Sequence, residues 1–202
     1  MSKSNKQIKV LAVTGIRSEY DILYPVIKCL RDHEDYCLRM VISGAHLSEN
    51  HGHTITKIMD DGFEVSEKIF TLLNTDSIAQ RPLAISTLIA GLTSVVLREQ
   101  PDLILVVGDR EESIAASIVG NYTLTMVAHI GGGDPVWGNA DDPIRMAVSK
   151  LSHIHFTTSK QYARNLLSLG EDDWRICNIG TPGLDNIVNE PLVALGDVSA
   201  SL

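Results

Sequence analysis

The chain has 202 residues, 44% apolar and 21% charged, with a formal net charge of -8. That length supports one large domain or two small ones around a sizeable core, in a folded globular protein. The acidic balance argues against a generic nucleic-acid or anionic-membrane surface, so phosphate recognition would fall to a few arginines, glycine-rich backbone and helix N-termini.

Taken from the N-terminus, MSKSNKQIKVLAV holds lysines but no long apolar region with a small-residue cleavage site, so no signal peptide is expected. Residues 8–14 read as a buried strand, and 20–32 as a helix with apolar residues at helical spacing. Residues 37–43 read as a second strand, 51–61 as a short helix, and the alternating FEVSEKIF as a short strand. A long helix follows over 76–99. Its window LAISTLIAGLTSVVL, residues 83–97, is the most apolar in the chain, too short to span a bilayer, and reads as a buried helix. DLILVVG, residues 102–108, is the clearest parallel-strand signal, a continuous apolar run closed by glycine. Helix 111–120, strand 123–130, helix 141–151, strand 153–157, helix 159–169 and strand 174–179 complete the pattern. After Asp185 the pattern is lost and the chain reads as a linker or a truncated tail. Cys29, Cys37 and Cys177 are odd in number and unpaired in spacing. They read as buried free thiols of a reducing compartment, and the expected location is the cytoplasm.

Alternating strands and helices with short connections predict a doubly wound α/β domain with a parallel sheet. Ligands bind such sheets outside the carboxyl ends of the strands. Five polar, glycine-bearing segments fall there: TGIRSEYD, SGAHLSENHGH, GDREE, HIGGGDPVWGNADD and GTPGLD. Arg17 lies at the mouth of the first helix, where a diphosphate is a natural ligand; the plainer reading is a surface arginine with Ser18 as N-cap. Asp109 follows a strand directly and reads as a base or orienter on a pocket floor, or as an N-cap. Arg110 can pair with a carboxylate across the site. Glu111 and Glu112 suit a helix first turn, with Glu111 mostly solvated. His46 and His129 read as neutral hydrogen-bonding groups near a substrate. His153 and His155 alternate and face one side, while His33, His51 and His53 read as solvated or loop residues. No H-x-x-x-H or H-E-x-x-H spacing points to a metal. Dinucleotide, P-loop and nucleophile-elbow motifs are also missing from the sequence.

These segments resemble, in order across residues 8–185, the UDP-N-acetylglucosamine 2-epimerases. The matching pieces are TGIRSEYDILYPVI, SGAHLS with G-H-T-I-T-K-I-x-x-D-G-F, VVGDREE-x-x-AA, HIGGGD with GNADDPIR-x-A-x-SKLSHIHF, and NIGTPGLD. The resemblance is particularly to the hydrolysing branch, which makes N-acetylmannosamine for sialic-acid-type sugars. The resemblance implies a GT-B-type fold of two facing Rossmann-like domains, of which this chain is the N-terminal one. Residues 1–185 would form that domain and 186–202 a linker or truncated tail, with the C-terminal UDP-binding domain absent. It also implies a UDP-sugar substrate, no cofactor, a homodimer or homotetramer, no nucleic-acid or membrane partner, and little or no turnover by this half alone.

The family chemistry removes the C2 proton, eliminates UDP to leave 2-acetamidoglucal, and adds water with inverted C2 configuration. The non-hydrolysing branch adds UDP back instead. The resemblance gives Arg17 a phosphate role and Asp109 the role of a pocket acid. It gives Asp141 a catalytic or sugar-orienting role, with Arg145 as its structural or phosphate partner. His46, Arg110, His153 and His155 match positions that line or support the cleft. Many relatives read H-I-E-G-G-E or H-I-H-G-G-E where this chain has His129-Ile130-Gly131-Gly132-Gly133-Asp134. Either Asp134 or Asp141 then inherits the base role. Non-hydrolysing relatives carry a lysine at the place of Ile22, which favours the hydrolysing branch. The rivals are a non-hydrolysing enzyme, a UDP-diacetylbacillosamine 2-epimerase, and a non-catalytic fragment that binds sugar nucleotide or dimerises.

Overall fold

The computed structural model describes residues 6–72, 77–138 and 140–189. Its first half runs β1 (Ile8–Thr14), α1 (Arg17–Asp32), β2 (Tyr36–Ser43), two 3₁₀ turns (Gly44–Leu47 and Glu49–His51), α2 (Ile55–Asp60), β3 (Val65–Ile69) and α3 (Gln80–Glu99). Then come β4 (Leu103–Val107), α4 (Glu111–Thr123), β5 (Met126–Ile130), α5 (Asp141–Leu151), β6 (Ile154–Thr157) and α6 (Lys160–Ser168). A 3₁₀ turn (Asp173–Arg175), β7 (Ile176–Asn178) and α7 (Leu184–Asn189) follow. The seven strands form one sheet in the order β3-β2-β1-β4-β5-β6-β7, and every pairing is parallel. The doubly wound α/β expectation is met. The winding reverses between β1 and β4, and there the loops part to open a crevice.

Alternation along β1 divides the core. Leu11 and Val13 join Leu88, Leu92, Val106, Val119 and Val148 on the face covered by α3, α4 and α5. Val10 and Ala12 join Tyr20, Leu23, Ile27, Ile58 and Leu105 on the face covered by α1 and α2. Burying both faces is why the central strands read as continuous apolar runs.

Several boundaries move. Helix α1 starts at Arg17 with extended Ile16 as its cap, so Ser18 is not the N-cap. The α3 helix begins at Gln80, and Asp76, where its start was expected, lies outside the described residues. By length and composition α3 is long enough to cross a membrane, with 28% of its apolar window buried. Only one stripe, including Leu88, Leu92 and Val95, enters the core, while Leu83 and Leu97 are exposed. The α4 helix runs on to Thr123 and stops where Leu124 turns left-handed, so β5 starts later than expected. Cys29 and Cys177 are exposed, correcting the expectation of buried thiols; the chain turns their side chains away from both cores.

The tail expectation also changes at its start, since residues 184–189 form α7. Pro25 inside α1 has no N–H to give the carbonyl four residues earlier. That carbonyl, on Asp21, instead accepts from Asn186 Nδ2 at 2.7 Å, so α7 docks where the α1 ladder is broken. Residues 190–202 of the expected tail lie outside the described residues.

Candidate active site

At the switch point a cavity of about 300 Å³ is walled by Gly15 after β1, Gly44 after β2, Thr71 after β3, Arg110 after β4, and Arg81 and Asp141 from the starts of α3 and α5. A larger groove of about 820 Å³ lies along the second half of α1 and the start of β2, away from these loops. The segments after β1, β2 and β4 and the start of α5 line the smaller cavity, while Asp109, Asp134 and Arg145 lie outside its wall.

The three predicted acids fall into two groups, each held by an arginine. Arg145 reaches back from α5 and forms a tight ion pair with Asp109. Its other terminal nitrogen lies 3.1 Å from Asp134 Oδ2 and 3.2 Å from the Asp134 carbonyl. Arg145 and Asp109 are 14% and 13% exposed, so this group is nearly enclosed. Asp109 therefore serves the ion pair; Arg110, not Asp109, occupies the N-cap position of α4. The Tyr162 hydroxyl bonds to Asp134, and that bond raises the tyrosine pKa.

Asp141 is held differently. Its Oδ1 lies 2.9 Å from Arg81 Nη2, and Arg81 Nε pairs closely with Glu111. The family resemblance implied Arg145 as the partner of Asp141, one turn earlier on the same helix. The fold turns Arg145 toward the β4 and β5 loops and brings Arg81 from α3 to Asp141. Glu111, expected to be solvated, has an 11% exposed side chain in this pair. Nothing in the pattern around Arg81 marked it, because its partner lies 60 residues later.

The loop backbone explains its glycines. Gly131, where relatives often carry an acid, has φ +84°, a left-handed conformation that L side chains disfavour. At Gly133 a Cβ would meet the Tyr162 carbonyl at 2.4 Å, so α6 packs directly on the loop.

The histidines support the site from behind. His129 Nε2 donates to the Gly108 carbonyl at 2.7 Å, and burial lowers its pKa to about 3. The ring is neutral, as expected, but fully buried beneath the loop. His46 is also buried, with Thr14 Oγ1 at 3.1 Å and Thr54 Oγ1 at 2.6 Å on its two nitrogens, and burial lowers it to about 4. His153 lies at the amino end of β6, where its Nδ1 accepts from Val127 N–H at 3.1 Å. That is the sheet edge opposite the cavity, which corrects its placement at the cleft. His155 is buried in mid-strand, 3.1 Å from Glu171, which also pairs with Lys150 and Arg175. It too stays out of the cavity.

Arg17 is 70% exposed and 3.6 Å from Asp21, at the carboxyl edge but outside the cavity wall. Arg110 does line the cavity, yet its carboxylate neighbour is Glu111 at 4.0 Å rather than one across the site. The sequence reading missed Glu19 and overlooked the burial of Glu112, which the fold places beneath Gly15. Both are first-turn acids on helices that follow β1 and β4, neighbouring strands at the switch point. Among the described residues no three His, Cys, Asp or Glu side chains gather as a cation site.

The fold and site define a class: a Rossmann-like domain with an arginine- and acid-lined crevice at its switch point, the N-terminal domain of a GT-B-type fold. The sequence profile of UDP-N-acetylglucosamine 2-epimerase matches residues 28–200, and the chain belongs to that family. It is 35% identical over 180 residues to a UDP-N,N'-diacetylbacillosamine 2-epimerase (hydrolyzing) of Legionella pneumophila, covering 89% of this chain and 48% of the relative. It is 30% identical over 192 residues to a UDP-N-acetylglucosamine 2-epimerase of Neisseria meningitidis serogroup B, covering 94% and 49%. The fold superposes on a crystal structure of UDP-GlcNAc 2-epimerase from Neisseria meningitidis bound to UDP-GlcNAc with a TM-score of 0.80. Identity there is 24%, over 90% of this chain and 48% of that one. The chain spans about half the length of the curated relatives it matches.

Proposed function

We propose that the chain is the N-terminal domain of a hydrolysing UDP-N-acetylglucosamine 2-epimerase, the domain running through α7, which docks on α1 by Asn186. The observation that carries this reading is an arginine-held acid, Asp141 on Arg81, in the wall of the switch-point cavity of a member of this family. The sugar C2 proton is not next to a carbonyl, so its removal needs a positioned base and support for the departing diphosphate. After the C1–O bond to UDP breaks, water adds at C1 and a proton returns to the opposite face of C2. Two proton-handling groups on different sides of the sugar meet that need. Asp141 lines the cavity and is favoured as the group that meets C2, while Asp134, turned toward Arg145 and Tyr162, serves the other face. Asp109 orients Arg145.

The hydrolysing branch is favoured by the similarity to the hydrolyzing Legionella enzyme and by Ile22 standing where non-hydrolysing relatives carry lysine. The same relative favours a second substrate, UDP-N,N'-diacetylbacillosamine. The test reads the gene past codon 202 and assays its full product on both nucleotide sugars in D2O. The expected result is one UDP released per free sugar, with a single deuterium at C2. A UDP-linked epimer as product would assign the non-hydrolysing branch, and binding without turnover a non-catalytic role. The 202-residue chain alone is expected to turn over little or nothing.

A further inference from the structure

Two carboxylates outside the arginine-held groups lie at the base of the cavity, Glu112 in its lining and Glu19 behind it. Glu19 in the first turn of α1 and Glu112 in the first turn of α4 are 6% and 4% exposed. Both converge on one residue, Gly15. Glu19 Oε2 accepts from the Gly15 N–H at 2.9 Å and from Thr14 Oγ1 at 3.5 Å. Glu112 Oε1 accepts from Ser43 Oγ at 3.0 Å, and its carboxyl group packs so closely that a Cβ on Gly15 would lie 2.2 Å from Cδ. The Gly15 carbonyl accepts from the His46 N–H at 3.2 Å. Gly44 closes the same contact, since a Cβ there would meet the Gly15 carbonyl at 2.8 Å and Glu112 Oε1 at 2.9 Å. The amide, Cα and carbonyl of Gly15 are thus each held by a different element, and Gly15 and Gly44 both wall the cavity.

Two carboxylates in one dry volume do not both ionise without a strong local cation. The groups facing this pair are Arg110, Asp109 and Glu111 of the β4–α4 segment, and His46, joined to Glu19 through Thr14. Arg110 is 47% exposed, Asp109 and Glu111 add negative charge, and His46 is neutral. Glu19 Oε1 is buried without a hydrogen-bond partner, which suits an acid that keeps its proton.

We propose that Glu19 and Glu112 are positioning residues, a carboxyl pair that retains one proton and thereby locks the Gly15 turn forming the wall of the nucleotide-sugar cavity. The link to substrate rests on the proposed function; the lock itself does not. Burial, and then the neighbouring Glu112 charge, push Glu19 up to about 8. Above that pH a second negative charge appears under a cavity proposed for an anionic ligand, and the turn loosens.

The test uses the 202-residue chain and ¹³C NMR of its glutamate carboxyl groups from about pH 4 to about pH 10. One glutamate is expected to titrate near 8, to vanish in Glu19→Gln, and to move down in Glu112→Gln. Hydrogen exchange at the Gly15 amide should accelerate above that pH beyond the intrinsic trend in the native chain, and not in Glu19→Gln. Ordinary acidic midpoints for both glutamates would overturn the proposal, as would identical Gly15 exchange profiles in the native chain and Glu19→Gln. If Glu19→Gln does not fold, the native titration and Glu112→Gln decide. Titration with UDP-N-acetylglucosamine should show binding weakening severalfold above pH 8 in the native chain only. No binding at any pH counts against the function and leaves the lock to the ligand-free measurements.

Discussion

The two arginine-held acid groups differ mainly in solvent. Around Arg145 the charges are 13% to 34% exposed and two carboxylates share one guanidinium. Around Arg81 the arginine is 49% exposed against 14% for Arg145, although its partners Asp141 and Glu111 are 30% and 11% exposed, so the difference lies in the guanidinium. An enclosed charge left without its partner is strongly destabilising, whereas an open pair exchanges its partner for water. Arg145 is thus a structural keystone of the loop that carries Asp134, and Arg81 an adjustable arm beside Asp141.

Five outcomes break or sharpen this contrast, beginning with turnover. In the full product of the gene, Asp141→Asn should lower kcat by about a thousandfold with the fold intact, and Asp134→Asn by about a hundredfold. Steady-state kinetics with circular dichroism check both; near-native turnover in Asp141→Asn would move the C2 base to Asp134. Next, Arg145→Ala should destabilise the chain by about 3 kcal/mol, because Asp109 and Asp134 lose a shared, largely buried cation. Urea unfolding reads this directly.

Acid separates the two sides in another way. His129 lies behind the Arg145 group and His46 behind the Gly15 wall, both neutral when folded, at about 3 and about 4. An unfolded histidine takes its proton near 6.5. These residues therefore contribute full stability above about pH 6.5, and that stability is lost as pH falls toward 3. Histidine NMR resonances should show His46 protonating first, so the Gly15 wall gives way before the Arg145 side. A smaller effect is expected at the loop. Gly131→Glu restores the acid that relatives carry but forces an L residue to φ +84°, costing about 1–2 kcal/mol. It should not raise turnover; a gain would mean the acid, not the backbone, decides this position. Least of all, Arg81→Ala should cost about 1 kcal/mol, because the exposed guanidinium and Asp141 exchange each other for water and only Glu111 loses a cation while largely enclosed. A loss matching Arg145→Ala in the same urea assay would erase the distinction between the groups.

Much of the fold was legible because it rests on local periodicity. The apolar run of β4 ending at Gly108, and the polar segments after each strand, place Asp109, Asp134 and Asp141 at one sheet edge from pattern alone. Less legible was which arginine holds which acid. The resemblance paired Arg145 with Asp141 one turn away, yet the strand order gave Arg145 to Asp109, 36 residues earlier. Histidine placement failed for a related reason. Alternation put His153 and His155 on one face but could not tell the amino from the carboxyl end of a strand, and His153 lies at the wrong end for the cavity.

The sequence by itself determined the alternating elements, the parallel doubly wound sheet, the segments bearing the acids and the family resemblance. Those depend on backbone geometry repeated every few residues and on motifs contiguous in the chain. Tertiary structure alone decided the division of the acids between Arg145 and Arg81, the burial of Glu19 and Glu112 against Gly15, and the docking of Asn186 on the carbonyl that Pro25 leaves unpaired. Each of these depends on distances between residues far apart in the chain, set by the order in which strands join the sheet. No local pattern carries that order.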